Sequence, residues 1–164
     1  MVFALAGDTL LLFQGKCFLF GMVAFMLTHV AFIIGFNQSL PVMSPVVIAL
    51  VLFCFFLWVL LYATLRRGAL ANAAYRTMEI PLVVYNLVIL LMVISALTTN
   101  FRLNWLPAAS VLVSCGALLF LFSDVLLAVD RFIRPLPTAR LWKRVTYQLG
   151  QLAIIAGVLL TFSA

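Results

Sequence analysis

Residues 45–65 read Pro45-Val-Val-Ile-Ala-Leu-Val-Leu-Phe-Cys-Phe-Phe-Leu-Trp-Val-Leu-Leu-Tyr-Ala-Thr-Leu65, without one charged side chain, and Arg66 and Arg67 follow at once. A helix needs about 20 mainly apolar residues to cross the hydrocarbon of a bilayer. A barrel strand would be about half as long and would alternate apolar and polar positions. This run does neither, so it reads as a spanning helix. With Met43 and Ser44 it gives a segment Met43–Leu65, and Pro45 sits in the first turn, where a missing N–H costs nothing.

The same reading extends to four further segments: Cys17–Phe36, Ile80–Thr99, Leu106–Val129 and Val145–Phe162. Pro81 and Pro107 are expected in the first turns of two of them. Met1–Phe13 is apolar but too short to span. No basic residue precedes it and Asp8 lies inside it, which argues against a signal peptide. It is read as the second half of a truncated spanning helix. The expected fold is therefore all-α, a polytopic transmembrane bundle of six hydrophobic segments forming a single domain over residues 1–164. Composition agrees: 67% of residues are apolar and 9% charged, against about 45–50% and 25% in soluble domains. A soluble or disordered chain is excluded.

Ten Lys and Arg against four acids give a net charge of +6. Nine of the ten lie after the first, third and fifth segments: Lys16, then Arg66, Arg67 and Arg76, then Arg131, Arg134, Arg140, Lys143 and Arg144. Only Arg102 falls in the other loops. This asymmetry places the basic loops in the cytoplasm, so no nucleic-acid partner is needed to explain the charge. A compact chain with no organelle signal points to a bacterial cell membrane. Trp105 and Trp142 are expected as interfacial anchors, and Trp58 as a packing residue of the bundle. Cys17, Cys54 and Cys115 all lie in apolar runs with no CxxC, which reads as packed free thiols. Ser95, Ser110 and Ser114 have no basic partner at a suggestive spacing and read as sites of close helix approach.

Gly7-Asp8-Thr9-Leu10-Leu11 echoes Ser123-Asp124-Val125-Leu126-Leu127, in segments that run the same way. The echo suggests two parallel halves of four helices, with the first two helices absent from this sequence. Ionisable groups within the hydrocarbon are functional candidates, and here they are Asp8, His29 and Asp124. At about 1.5 Å of rise per residue, both aspartates lie roughly 10–12 Å inside the basic boundary. Tyr62, Tyr85, Asn86, Gln148 and Gln151 fall at about 6–12 Å from the same face. His29 lies about 20 Å away on this count and stays outside the layer unless its helix is displaced or tilted.

A polar layer can simply hold helices together. Two aspartates at one depth point further. A carboxyl removed from water favours its protonated form, and two sharing a site resist joint ionisation. One then serves as acid and the other as base, which is what metal-free hydrolysis requires. No HExxH, GxSxG, GxGxxG or P-loop is present, and no metal or cofactor is expected. A non-enzymatic membrane carrier or binding protein for a lipid or small solute, its acids serving as a proton relay, and a purely structural bundle remain alternatives.

Several motifs together carry a resemblance. They are Gly7-Asp8, then Phe18-x-x-Gly21-x-x-x-Phe25-x-x-x-His29, Pro81-x-x-x-Tyr85, the run Gly116–Phe132 with Ser123-Asp124 and Asp130-Arg131-Phe132, and Tyr147-x-x-x-Gln151. In combination the chain resembles the YhhN family of membrane proteins, whose characterised animal members are lysoplasmalogenases. The resemblance implies about eight spanning helices. It also implies hydrolysis of the vinyl ether of a lysolipid to a fatty aldehyde and a glycerophospho-alcohol, in a membrane-lipid environment. It makes Asp8 and Asp124 the acid/base pair, with Tyr85, Asn86, Gln151 and His29 orienting water and the ether oxygen. Arg66, Arg67 and Arg131 become candidates for the phosphate of the head group. Family members often carry Tyr three residues after the His. This chain has Phe32 there, so a phenol-dependent role is lost.

Overall fold

The computed structural model describes residues 17–137 and 139–162. Asp8 and the segment Met1–Phe13 lie outside the described residues. Five long helices follow one another: α1 (Cys17–Phe36), α2 (Pro45–Ala69), α3 (Ala73–Thr98), α4 (Pro107–Ala128) and α5 (Ala139–Phe162). A short 3-10 turn, Thr99–Phe101, continues α3, and a π-helical turn, Val129–Ile133, continues α4. All five helices contain a stretch long and apolar enough to cross a bilayer, and no strand occurs among the described residues. The protein is a helical membrane bundle.

The helix starts follow local chemistry. Ser44 caps α2, its hydroxyl accepting from the Val47 amide at 3.3 Å, and Pro45 follows in the first turn. Pro107 likewise stands in the first turn of α4, there without a side-chain cap. Pro81 does not open its helix, contrary to expectation. The Asn72 carbonyl accepts from Tyr75 and Arg76 at 3.1 and 3.2 Å, so α3 begins at Ala73 and Pro81 lies inside it. The first two turns of α3 carry Arg76, Thr77 and Glu79, which hide a helix from an apolar-run reading. Helix α5 likewise begins at Ala139 rather than Val145, because Lys143 and Arg144 belong to a helical turn at the membrane surface.

The loop ends pair as the charge pattern requires. At the basic end, the Asn72 side-chain amide donates to the Phe132 carbonyl at 3.4 Å, and Tyr75 packs edge-on against Phe132. Asp130 ties the π turn to the start of α5: its Oδ1 accepts from the Leu136 amide at 2.9 Å and its Oδ2 from Lys143 Nζ at 2.6 Å. At the opposite end, the Val42 amide donates to the Phe101 carbonyl at 2.8 Å. There Asn37 bridges α1 to α3, donating to Ser95 Oγ at 2.9 Å and accepting from Arg102 Nη2. Burial leaves Arg102 only 5% exposed and pulls its guanidinium below the usual arginine value. Trp105 is not an interfacial anchor: it is buried between Phe36 and Phe162, whereas Trp142 is exposed as expected.

Helices α4 and α5 form the closest pair. A Cβ on Gly116 would stand 2.7 Å from the Gly150 carbonyl oxygen, and one on Gly150 would stand 2.8 Å from that of Gly116. One on Gly157 would meet the Ala109 carbonyl oxygen at 2.7 Å. Small residues let backbones approach where lipid supplies no hydrophobic drive. Ser110 and Ser114 serve the α3–α4 contact, donating to the carbonyls of Thr99 and Ala96, both at 3.3 Å. The Cys54 and Cys115 thiols are free, yet Cys115 faces outward rather than packing inside; Cys54 is half-buried. Helix α2 is peripheral, with 6% of its apolar window buried, and presents Leu52, Phe53 and Phe56 outward.

Candidate active site

Asp124 lies near the end of α4, one turn before Ala128. Its Oδ2 accepts from the Tyr85 hydroxyl of α3 at 3.2 Å. His29 of α1 brings Nε2 to 4.0 Å from the same oxygen. The imidazole is fully buried, edge-on to Phe120 with centroids 4.7 Å apart and tilted against Tyr85 at 5.8 Å. Neither of its nitrogens has a hydrogen-bond partner among the described residues.

The expectation that His29 stays outside the polar layer is therefore corrected. Depth counted from the basic residues assumes that every helix starts where its apolar run starts. In fact α3 extends two turns further, so Tyr85 lies twelve residues, about 18 Å, from Ala73, and the His29 ring lies against it with centroids 5.8 Å apart. The two side chains share a level, and Asp124 meets both.

Two cavities flank Asp124. The first lies between α1, α3 and α4 and is lined by Met22, Phe25, Leu82, Tyr85, Leu127 and Phe132. The second lies between α2, α3 and α4 and is lined by Trp58, Leu61, Tyr62, Leu65, Leu121 and Val125. Asn86, Asp124 and Ala128 border both. Asn86 is thus beside the carboxyl, as its spacing from Glu79 suggests.

The remaining candidates are placed less uniformly. Gln151 is half-buried on α5 and borders neither cavity, and Gln148 is exposed, so α5 does not bring its glutamines to Asp124. Arg66 pairs with Glu79, Nε to Oε1, at the basic end of α2. Arg67 is exposed beside it, and Arg131 is exposed on the π turn. Trp58 does not pack inside the bundle as expected. It is half-buried on α2 and stacks on Tyr62 with centroids 5.6 Å apart and planes at 10°. Its place in a cavity wall escaped the sequence reading, although the Trp58/Tyr62 spacing of one helical turn just before Arg66 was available as a signal. Among the described residues no three His, Cys, Asp or Glu side chains come together.

This geometry, a carboxyl held by a phenol between apolar cavities, sits within a recognisable sequence. The YhhN family pattern matches residues 1–158. The chain belongs to the YhhN family. Two curated relatives resemble this YhhN chain: lysoplasmalogenase TMEM86B of Mus musculus, 28% identical over 159 residues, and lysoplasmalogenase TMEM86B of Rattus norvegicus, 30% identical over 158 residues. The alignments cover 97% and 96% of this chain but 61% and 56% of the relatives. The YhhN chain thus spans about three fifths of the length of the relatives it matches. No solved structure matches it.

Proposed function

We propose that this YhhN chain carries a membrane-embedded hydrolase site for the vinyl ether bond of lysoplasmalogen-like lysolipids, with its basic loops on the cytoplasmic side of a bacterial cell membrane. The observation that supports this reading best is Asp124 itself: a carboxyl hydrogen-bonded to Tyr85 and bordered on two sides by apolar cavities. The lysoplasmalogenase names of the two relatives support the substrate class.

The chemistry fits one proton donor and one acceptor. A protonated carboxyl delivers its proton to the β-carbon of the vinyl ether, and the α-carbon becomes an oxocarbenium-like centre. The resulting carboxylate stabilises that cation, as in glycoside hydrolysis. Water adds to the α-carbon and gives a proton back to a carboxylate. The hemiacetal then breaks its bond to the glycerol oxygen, which takes the proton, leaving a fatty aldehyde and a glycerophospho-alcohol. Asp124 is one member of the pair, and Asp8 is proposed as the other. Tyr85 holds the Asp124 carboxyl in place, His29 stands beside it, Asn86 orients water or the ether oxygen, and Arg66, Arg67 and Arg131 offer cations to the phosphate.

The test is a substrate panel on detergent-solubilised protein, run in deuterium oxide. Lysoplasmalogen should yield aldehyde carrying one solvent deuteron on the carbon next to the carbonyl, whereas the ester and saturated-ether lysolipids should yield none. Release of fatty acid from the ester, or no turnover of any lipid by folded protein, would contradict the proposal.

A further inference from the structure

The two cavities beside Asp124 are not equivalent. In the α1-side cavity every lining residue sits at the level of Asp124 or nearer the basic end. Leu127, Ala128 and Phe132 follow Asp124 towards that end, Met22 and Phe25 precede His29, and Leu82 precedes Tyr85. Phe132, packed on Tyr75, lies at its far wall.

The α2-side cleft extends both ways from the carboxyl. Leu65, Tyr62, Leu61 and Trp58 descend two turns of α2, about 10 Å. On α4, Ala128 lies one turn nearer the basic end than Asp124, and Leu121 about one turn deeper. Arg66 and Arg67 follow Leu65 directly at the basic end of α2, Arg66 paired with Glu79 and Arg67 exposed. The deep end is apolar, and the helix that walls it is the peripheral α2. One cleft thus presents cations, then a polar level of Tyr62, Asn86 and Asp124, then hydrocarbon. That is the order of groups along a single-chain phospholipid.

We propose that a lysophospholipid binds in the cleft between α2, α3 and α4, with its phosphate at Arg66 and Arg67, its glycerol beside Tyr62, and its chain running past Trp58 and Leu121 into the bilayer. This rests on the lysolipid reading of the site and assigns Trp58 and Tyr62 as specificity-determining residues. Their rings stack within 10° of parallel and form a flat wall over the stretch where glycerol gives way to chain. Cutting back that wall should change which lipid is held.

The test uses an ester lysophosphatidylcholine with a diazirine on the first third of its chain, photo-crosslinked to the whole protein in nanodiscs and mapped by peptide mass spectrometry. The probe lacks a vinyl ether, so labelling reads binding whether or not the protein hydrolyses anything. Adducts should concentrate on Trp58, Leu61 and Leu121. Leu61→Trp should cut labelling at least tenfold, and Leu127→Trp, which fills the α1-side cavity, should change it less than twofold. Adducts on Met22, Phe25 or Leu82, labelling spread over the outward faces of all helices, or greater sensitivity to Leu127→Trp than to Leu61→Trp would overturn the proposal. A turnover assay with lysoplasmalogen on the same variants separates the two ideas: correct labelling with no aldehyde would remove the hydrolase and keep the binding cleft.

Discussion

The hydroxyl of Tyr85 on α3 donates to Oδ2 of Asp124 on α4 across 3.2 Å, and this bond joins two helices at the level where the two cavities meet. It fixes which carboxyl oxygen faces the phenol and leaves the other for a reacting group. A hydrogen bond to a charged partner is worth about 1.5–3 kcal/mol. Tyr85→Phe keeps the ring that packs near His29 and removes only the bond. Turnover should fall about 10- to 100-fold, the kinetic equivalent of that energy, with the thermal midpoint little changed. Unaltered turnover would remove Tyr85 from the site.

His29 should separate stability from activity further. Its ring is fully buried and its nitrogens lack hydrogen-bond partners among the described residues. An unsatisfied buried polar group costs about 1–3 kcal/mol. His29→Leu replaces it with an apolar side chain between Phe120 and Tyr85 and should hold or raise the thermal midpoint in detergent. If the imidazole acts on Asp124 from 4.0 Å, turnover should drop at the same time. A large loss of stability would instead mark His29 as a structural hydrogen-bonding residue.

The α4–α5 seam should be the least tolerant place in the bundle. Gly116→Ala puts a methyl group within 2.7 Å of the Gly150 carbonyl oxygen and 2.9 Å of the Ile154 amide, both backbone atoms that cannot swing away. Overpacking of this kind costs about 1–3 kcal/mol, measurable as a lower thermal midpoint. Gly35→Ala, where nothing lies within 4 Å, is the matched control and should be neutral or slightly stabilising.

Asp130 tests whether the second acid of the Gly116–Phe132 run belongs to the chemistry. Its contacts point to the loop: the Leu136 amide on one oxygen and Lys143 on the other. Both partners of the ion pair remain partly exposed, at 21% and 26%, so the pair contributes at most about 1 kcal/mol. Asp130→Asn should keep turnover and lower the thermal midpoint slightly. A loss of turnover matching that of Asp124→Asn would contradict this assignment.

The bundle was legible because uncharged runs such as Pro45–Leu65 admit few other structures, and the basic loops sorted themselves to one side. Asp124, Tyr85 and Asn86 were legible for a related reason, since polar groups in hydrocarbon stand out against their neighbours. Levels were harder. The polar first turns of α3 and the π turn after α4 lengthen those helices beyond their apolar runs, which hid the approach of His29 to Asp124. Partners that depend on which helices touch were not legible at all. Gly150 and Gly157 meet residues of α4 more than thirty positions away, Trp105 is buried by Phe36 and Phe162, and Trp58 becomes a cleft wall only once α2 lies beside Asp124.

The most direct measurement is the rate of aldehyde release from lysoplasmalogen by the wild type and by Asp124→Asn, purified side by side and matched for thermal midpoint. The amide keeps the shape of the side chain and can still accept from Tyr85, but it cannot exchange a proton as a carboxyl does. Loss of acid–base catalysis of this kind is worth about 10²- to 10⁴-fold. The account predicts aldehyde from the wild type and a fall of at least about 100-fold in the variant. Equal rates from two folded proteins would contradict it.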